Sequence, residues 1–189
     1  MEAFLVSITT ISVAEIGDRT QLLSLVLAAR YRRPWPIIAG ILCATLANHA
    51  LAGVVGVWFG SLLKPRTLEV VVGISMIVMA IWTLKPDQLD ENTGATGAMG
   101  AFLATLTSFF IAEIGDKTQI ATLALAAAYP SLLAVVAGTT AGMMLANVPV
   151  VFLGKAFASR LPLKAIHYGA ALLFIVLGLI FLVRAYRGS

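Results

Sequence analysis

The sequence predicts an all-α integral membrane protein whose six transmembrane helices form two inverted three-helix repeats. Of the 189 residues, 60% are hydrophobic and only 12% are charged, a composition that soluble domains do not normally have. The charged residues gather between apolar runs of roughly 20 residues, the length that an α-helix needs to cross a hydrocarbon core. A charged segment near the start of the chain is repeated almost unchanged in the second half of the chain, which indicates a duplication.

Each apolar run is long enough for one membrane-spanning helix, and the alternation that is typical of transmembrane β-strands is missing. The six runs cover residues 3–29, 36–62, 68–84, 100–128, 131–154 and 165–184. The first run lacks the basic start of a signal peptide, and it continues through two acids rather than into a small-residue cleavage site. We therefore expect it to be retained as the first spanning helix of a multi-pass protein.

Basic residues at the predicted helix ends account for the net charge of +4. No groove-reading motif accompanies them, so we predict no nucleic-acid partner. The side of the membrane with the first, third and fifth connections carries Arg30, Arg32, Arg33, Lys85, Lys155, Arg160 and Lys164. The opposite side carries Lys64, Arg66, Arg184 and Arg187. This bias predicts that both termini face away from the cytoplasm.

The duplicated segment aligns residues 14–31 with residues 112–129 without gaps, with 12 identities in 18 positions. The repeats are predicted to be residues 1–84 and 100–189, joined by a polar connecting loop at 85–99. Because each repeat has three helices, the second enters the membrane from the opposite side. Inverted repeats of this kind are typical of transporters, with the substrate site near the membrane midplane.

The repeated segment contains acids that are costly inside a membrane, about 2.5–3.5 kcal/mol per charge on insertion scales. They must therefore face the protein interior. If the segment is one continuous helix, Glu15, Asp18 and Gln21 lie on one face as a ladder of oxygen atoms. The second copy supplies Glu113, Asp116 and Gln119. A glycine between the two acids of each copy permits a kink or the close approach of a partner helix.

The charges of the two copies predict a cation site. The four acids contribute a formal charge of −4, and Arg19 and Lys117 contribute +2. The net formal charge of the site is therefore −2, which matches one divalent cation or two protons. The candidate ligands are all oxygens, with Thr20 and Thr118 as supplements, and such a set favours Ca²⁺, Mn²⁺ or Mg²⁺ over copper or zinc.

An alternative is that the cations form i, i+4 ion pairs that only pack the bundle, Glu15 with Arg19 and Glu113 with Lys117. That alternative accounts for two of the four acids. Supporting polar residues lie in the second and fifth apolar runs, at equivalent positions of the repeats. They are Asn48, His49 and Asn147. A single histidine in a helix is more often a hydrogen-bonded core residue than a ligand or a proton relay.

The two copies of the motif E-x-G-D-[KR]-[ST], "EIGDRT" at 15–20 and "EIGDKT" at 113–118, resemble those of the Gdt family of cation/proton antiporters. That family includes Golgi manganese and calcium transporters of eukaryotes and bacterial manganese exporters, and the resemblance covers essentially the whole chain. It implies export of Mn²⁺ or Ca²⁺ from the cytoplasm in exchange for protons. It also implies that the four motif acids form the cation site, and that the chain is a compact prokaryotic member in the cytoplasmic (inner) membrane.

Other functions stay open at this point. The same site could hold a cationic amino acid or another small organic cation, and a passive cation channel is not excluded. An enzyme is not expected, because two histidines and one cysteine lie far from the motif and supply no nucleophile with a base. The expected partners are a divalent ion as substrate, protons and the lipid bilayer, with no cofactor. A homodimer is compatible with the sequence.

Overall fold

A computed structural model of the chain describes residues 1–84, 100–153 and 163–187, and within these ranges the regular structure is α-helical. The helices are α1 (Glu2–Glu15), α2 (Arg19–Tyr31), α3 (Pro34–Leu62), α4 (Pro65–Thr83), α5 (Ala101–Glu113), α6 (Lys117–Ala128), α7 (Leu132–Leu153) and α8 (Leu163–Arg187). The connecting loop predicted at 85–99 lies outside the described residues, as do Lys155 and Arg160.

The long helices have the composition of membrane spans. Within the described ranges α3, α4, α7 and the Tyr168–Arg187 part of α8 are long and apolar enough to cross a membrane. Large apolar side chains on these four helices are exposed, among them Val54, Ile81, Leu145 and Leu172. The charged residues of the motifs are instead buried, apart from the partly exposed Arg19. Apolar residues outside and charged residues inside agree with the predicted helical membrane protein.

The first and fourth apolar runs are each broken into two short helices, so the prediction of one continuous helix through each motif is wrong. The breaks fall at Ile16–Asp18 and Ile114–Asp116, between α1 and α2 and between α5 and α6. Gly17 has a φ of 84° and Gly115 a φ of 73°, in the left-handed region that residues with a Cβ rarely adopt. The glycines therefore end the helices, and the acids do not form a ladder on one helix face.

Helix contacts repeat when the two halves of the chain are exchanged. Helix α1 packs on α7 as α5 packs on α3, and α2 packs on α7 as α6 packs on α3. The α5–α3 and α1–α7 crossings are close at equivalent glycines, Gly40 and Gly138. A Cβ on Gly40 would lie 2.8 Å from the Phe102 carbonyl oxygen, and one on Gly138 would lie 2.7 Å from that of Phe4. Small residues at such positions let helix backbones approach each other closely in a membrane protein.

The pair formed by α4 and α8 breaks this symmetry. The two helices pack on each other, with Gly73 and Gly178 at their closest crossing. The pair lies mainly against α1 and α6, and these four helices share with α7 one apolar core that includes Met76, Leu125 and Phe174. A second core joins α2, α3 and α5 with the end of α7. The two halves therefore have equivalent helices in unequal surroundings.

Candidate cation-binding site

Each copy of the charged motif lies at a helix break, between the C-terminus of one helix and the N-terminus of the next. Helix α1 ends at Glu15 and Asp18 is the N-cap of α2, while α5 ends at Glu113 and Asp116 is the N-cap of α6. The carbonyl groups at a helix C-terminus favour a nearby cation, and the N–H groups at an N-terminus favour a carboxylate. In each motif the glutamate therefore lies near the carbonyl groups of a helix end and the aspartate near the N–H groups of a helix start, so the two acids are in different electrostatic environments.

The motif glutamines stabilise the two breaks. Gln21 Oε1 accepts a hydrogen bond of 2.8 Å from the Gly17 N–H, and Gln119 Oε1 accepts one of 2.7 Å from the Gly115 N–H. Gln21 also donates through Nε2 to the Ala146 carbonyl oxygen of α7 at 3.0 Å. The sequence predicts both glutamines as metal ligands, and in the structure their oxygens also have this structural role.

The two cations of the motifs form ion pairs across the repeats. Lys117 Nζ lies 2.7 Å from Asp18 Oδ1, and Arg19 Nη2 lies 3.0 Å from Asp116 Oδ1. Each cation thus neutralises the aspartate of the other repeat rather than the glutamate four residues before it. The i, i+4 pairing considered from the sequence depends on a continuous helix, which the break at each glycine removes.

Three of the four acids converge. Ligand oxygens of Glu15, Asp18 and Asp116 all lie within 4.8 Å of one another, and the three residues are buried. Glu113 is also fully buried but does not belong to this cluster. The carboxylate cluster, as we call Glu15, Asp18 and Asp116, therefore combines both repeats but only one of the two glutamates.

Threonine hydroxyls orient the carboxylates. Thr20 donates to Glu15 Oε2 at 2.5 Å, whereas its equivalent Thr118 donates to Asp116 Oδ2 at 3.2 Å. Glu113 Oε1 accepts a hydrogen bond of 2.6 Å from Thr45 of α3. Thr45 is not among the site residues that the sequence predicts. A polar residue four positions before His49, in the middle of an apolar run, was the signal that could have indicated it.

The remaining negative charge of the site belongs to the two glutamates. With both aspartates in ion pairs, the formal charge of −2 that the six motif residues give is assigned to Glu15 and Glu113. Among the described residues, Glu15 Oε1 and Glu113 Oε2 are buried and have no hydrogen-bond partner. Buried carboxylate oxygens without partners are rare and are the places where an ion, water or proton is expected.

The supporting residues surround the site with different contacts. Asn48 donates through Nδ2 to the Phe110 carbonyl oxygen at 3.1 Å, and Asn147 Oδ1 accepts from Ser24 Oγ at 2.7 Å. His49 is fully buried, and both of its ring nitrogens are without a hydrogen-bond partner among the described residues. The two asparagines thus connect long helices to the half-helices that carry the motifs.

The chain is similar in sequence to known proteins along most of its length. The sequence model of the family described as "Divalent cation/proton antiporter GDT1" matches residues 3–91 and again residues 101–189. A Vibrio cholerae protein named "Putative manganese exporter" is 52% identical over 95% of this chain and 90% of its own length. The yeast protein named "Divalent cation/proton antiporter GDT1" is 24% identical over 98% of this chain and 85% of its own length. No solved structure matches the chain.

Proposed function

The chain belongs to the GDT1 family of divalent cation/proton antiporters, and we propose that it exports Mn²⁺ in exchange for protons through the carboxylate cluster and Glu113. The observation that carries the proposal is a buried carboxylate cluster from both repeats, together with one oxygen of each glutamate that has no hydrogen-bond partner among the described residues. The all-oxygen ligands suit Mn²⁺ and Ca²⁺. The name of the Vibrio cholerae relative favours Mn²⁺ as the substrate.

The proposed ligands are the acids of both motifs, with different tasks for their neighbours. Glu15, Asp18, Glu113 and Asp116 bind the cation. Arg19 and Lys117 set the charge of the site at −2 through the ion pairs across the repeats. The threonines orient the carboxylates, and the glutamines hold the helix breaks open.

The same carboxylates serve both substrates of the exchange. Deprotonated glutamates take up one divalent cation from the cytoplasm, and protons compete for them on the other side and release it. One divalent cation replaced by two protons keeps the charge of the site constant, so we propose this stoichiometry. A low-dielectric interior penalises any step that leaves an uncompensated charge.

We propose six membrane crossings in two inverted repeats, residues 1–84 and 100–189. Helices α1 and α2 together, and α5 and α6 together, supply the two crossings that no single long helix provides. Both termini then face away from the cytoplasm of the inner membrane. The protein has a single cysteine, so E2C in a C43S background tests the topology. A membrane-impermeant maleimide should label E2C in intact cells, and labelling only after lysis contradicts the orientation.

The unequal surroundings of the repeats support alternating access. The α4–α8 pair lies against α1 and α6, and an exchange of conformations between the repeats would move the pair onto α5 and α2. The site stays between the repeats while its access changes sides, as in other inverted-repeat transporters.

The test is exchange by the purified protein in proteoliposomes. An imposed pH gradient should drive Mn²⁺ uphill, with Ca²⁺ and lysine measured in parallel as competing substrates. The variants E15Q and E113Q should abolish exchange. The matched control E2Q changes an exposed acid of α1 and should keep it. Wild-type exchange by E15Q or E113Q refutes the site, lysine-driven proton flux favours the organic-cation alternative, and downhill Mn²⁺ flux without proton movement favours a channel.

A further inference from the structure

The two glutamates of the site have different hydrogen-bond donors, although the motifs around them are nearly identical. In the first repeat Thr20, inside the motif, donates to Glu15. In the second repeat the equivalent Thr118 donates to Asp116, and Glu113 receives its hydrogen bond from Thr45 on α3. The difference coincides with cluster membership, since Glu15 belongs to the carboxylate cluster and Glu113 does not.

The source of the difference is in the sequence. The repeats are related by an offset of 98 residues, so the position on α7 that is equivalent to Thr45 is residue 143. That residue is Met143, which is fully buried and has no hydrogen to donate. Its sulfur accepts a hydrogen bond of 3.1 Å from Asn147 Nδ2. Helix α7 packs on α1 as α3 packs on α5, so Glu15 has no donor on its long helix where Glu113 has one.

We infer that Thr45 is a positioning residue that makes the two glutamates unequal. It holds Glu113 outside the carboxylate cluster, so that Glu15, Asp18 and Asp116 receive the cation first. Glu113 joins the cation only when Thr45 releases it, and its return to Thr45 assists cation release. Thr45 therefore limits how tightly the site holds its cation. This role rests on the proposed exchange of a divalent cation for protons.

The hydrogen bond between Thr45 and Glu113 is energetically important because it is buried. Thr45 and Glu113 are both fully buried, and the hydrogen bond of 2.6 Å is made to a carboxylate. A hydrogen bond to a charged group changes an equilibrium constant by about tenfold or more. Without the Thr45 hydroxyl, Glu113 Oε1 would lose this donor, and Glu113 would be freer to turn to a cation in the carboxylate cluster.

The first experiment removes the hydroxyl of Thr45 and keeps the shape of the side chain. In proteoliposomes T45V should lower the KM for Mn²⁺ by about tenfold and also lower the maximal rate, because Glu113 stays on the cation. T45S keeps the hydroxyl and should behave like the wild type. An unchanged or higher KM in T45V overturns the inference. So does an equal effect of T45S, because T45S keeps the hydroxyl and the effect would then not depend on the hydrogen bond to Glu113.

The second experiment adds a hydroxyl to the other repeat. M143T gives Glu15 a donor on α7, and M143V has the same shape without the hydroxyl. M143T should raise the KM for Mn²⁺ relative to M143V, because Glu15 is drawn out of the carboxylate cluster. Equal KM values for the two variants overturn the inference. This pair decides the question even if T45V does not fold.

The wild-type measurement separates this inference from the proposed function. If the wild type does not exchange Mn²⁺ for protons, the proposed function fails. If the wild type exchanges them and T45V has the same KM and maximal rate, only the role of Thr45 fails. Mn²⁺-induced stabilisation of the purified protein gives the same comparison without transport, because tighter binding by T45V increases the shift in Tm.

Discussion

The ion pair between Lys117 and Asp18 should contribute far more to stability than its counterpart between Arg19 and Asp116. The Lys117 and Asp18 side chains are 2% and 0% exposed, whereas Arg19 is 33% exposed and only its partner Asp116, at 2%, is buried. The perturbation is K117M, which keeps an unbranched side chain and removes the charge. R19M is the matched control, because it makes the equivalent change at the more exposed pair.

The expected size of the effect follows from burial. Breaking a buried ion pair by removing one partner costs about 3–5 kcal/mol, because the other charge stays buried. R19M also leaves a buried aspartate, Asp116, but Arg19 is partly exposed, so water can reach the space that its guanidinium leaves and compensate for part of that cost. For a chain of this length 1 kcal/mol corresponds to about 2–4 °C in Tm. K117M should therefore lower the Tm by about 6–20 °C, and R19M by clearly less.

Thermal unfolding in detergent, followed by tryptophan fluorescence, measures both variants. The double variant K117M/D18N removes the stranded charge and should recover part of the loss. Mn²⁺ should stabilise K117M more than the wild type, because the site then carries −3. A K117M protein that melts at or above the temperature of R19M would refute the reasoning that burial determines the strength of these pairs.

Three further predictions concern the helix breaks, the helix crossings and proton competition. G115A should lower stability by about 1–2 kcal/mol because it forces a Cβ into the left-handed region. Denaturant unfolding compared with the control G169A, at a glycine with open space around it, checks this, and equal stability of G115A and G169A would show that the break does not need glycine. G138A should cost about 1–3 kcal/mol by overpacking the α1–α7 crossing, while G169A, which has open space around it, should be neutral in the same assay, and equal losses would contradict the crossing. The Mn²⁺-induced rise in Tm should shrink as the pH falls, because protons compete for ligands that must be deprotonated; a pH-independent rise in Tm argues against shared carboxylates.

The sequence nominated the residues of the candidate site but did not predict their arrangement. Repetition and the cost of charge in a membrane singled out Glu15, Asp18, Glu113 and Asp116. The helical periodicity that placed them on one face did not allow for Gly17 and Gly115, which end the helices. Once the helices end there, each cation reaches the aspartate of the other repeat instead of a glutamate on its own helix.

The contribution of the long helices was harder to predict. Thr45 lies more than 60 residues from Glu113 in sequence, and no local pattern relates them. Its hydrogen bond depends on the crossing of α3 and α5, which is close because Gly40 has no side chain at that contact. The spacing of residues along the sequence does not predict a contact between two helices that are far apart in the chain.

By itself the sequence determined the class of protein, the duplication and the charge of −2, because composition, repetition and charge are properties of the chain that do not depend on its packing. Only the tertiary structure decided which charges neutralise each other and which glutamate belongs to the carboxylate cluster. Those choices depend on where the half-helices end and on which side chains of α3 and α7 face them. The physical reason is that electrostatic and hydrogen-bond energies depend on distance and burial, and both are set only when the two repeats pack together.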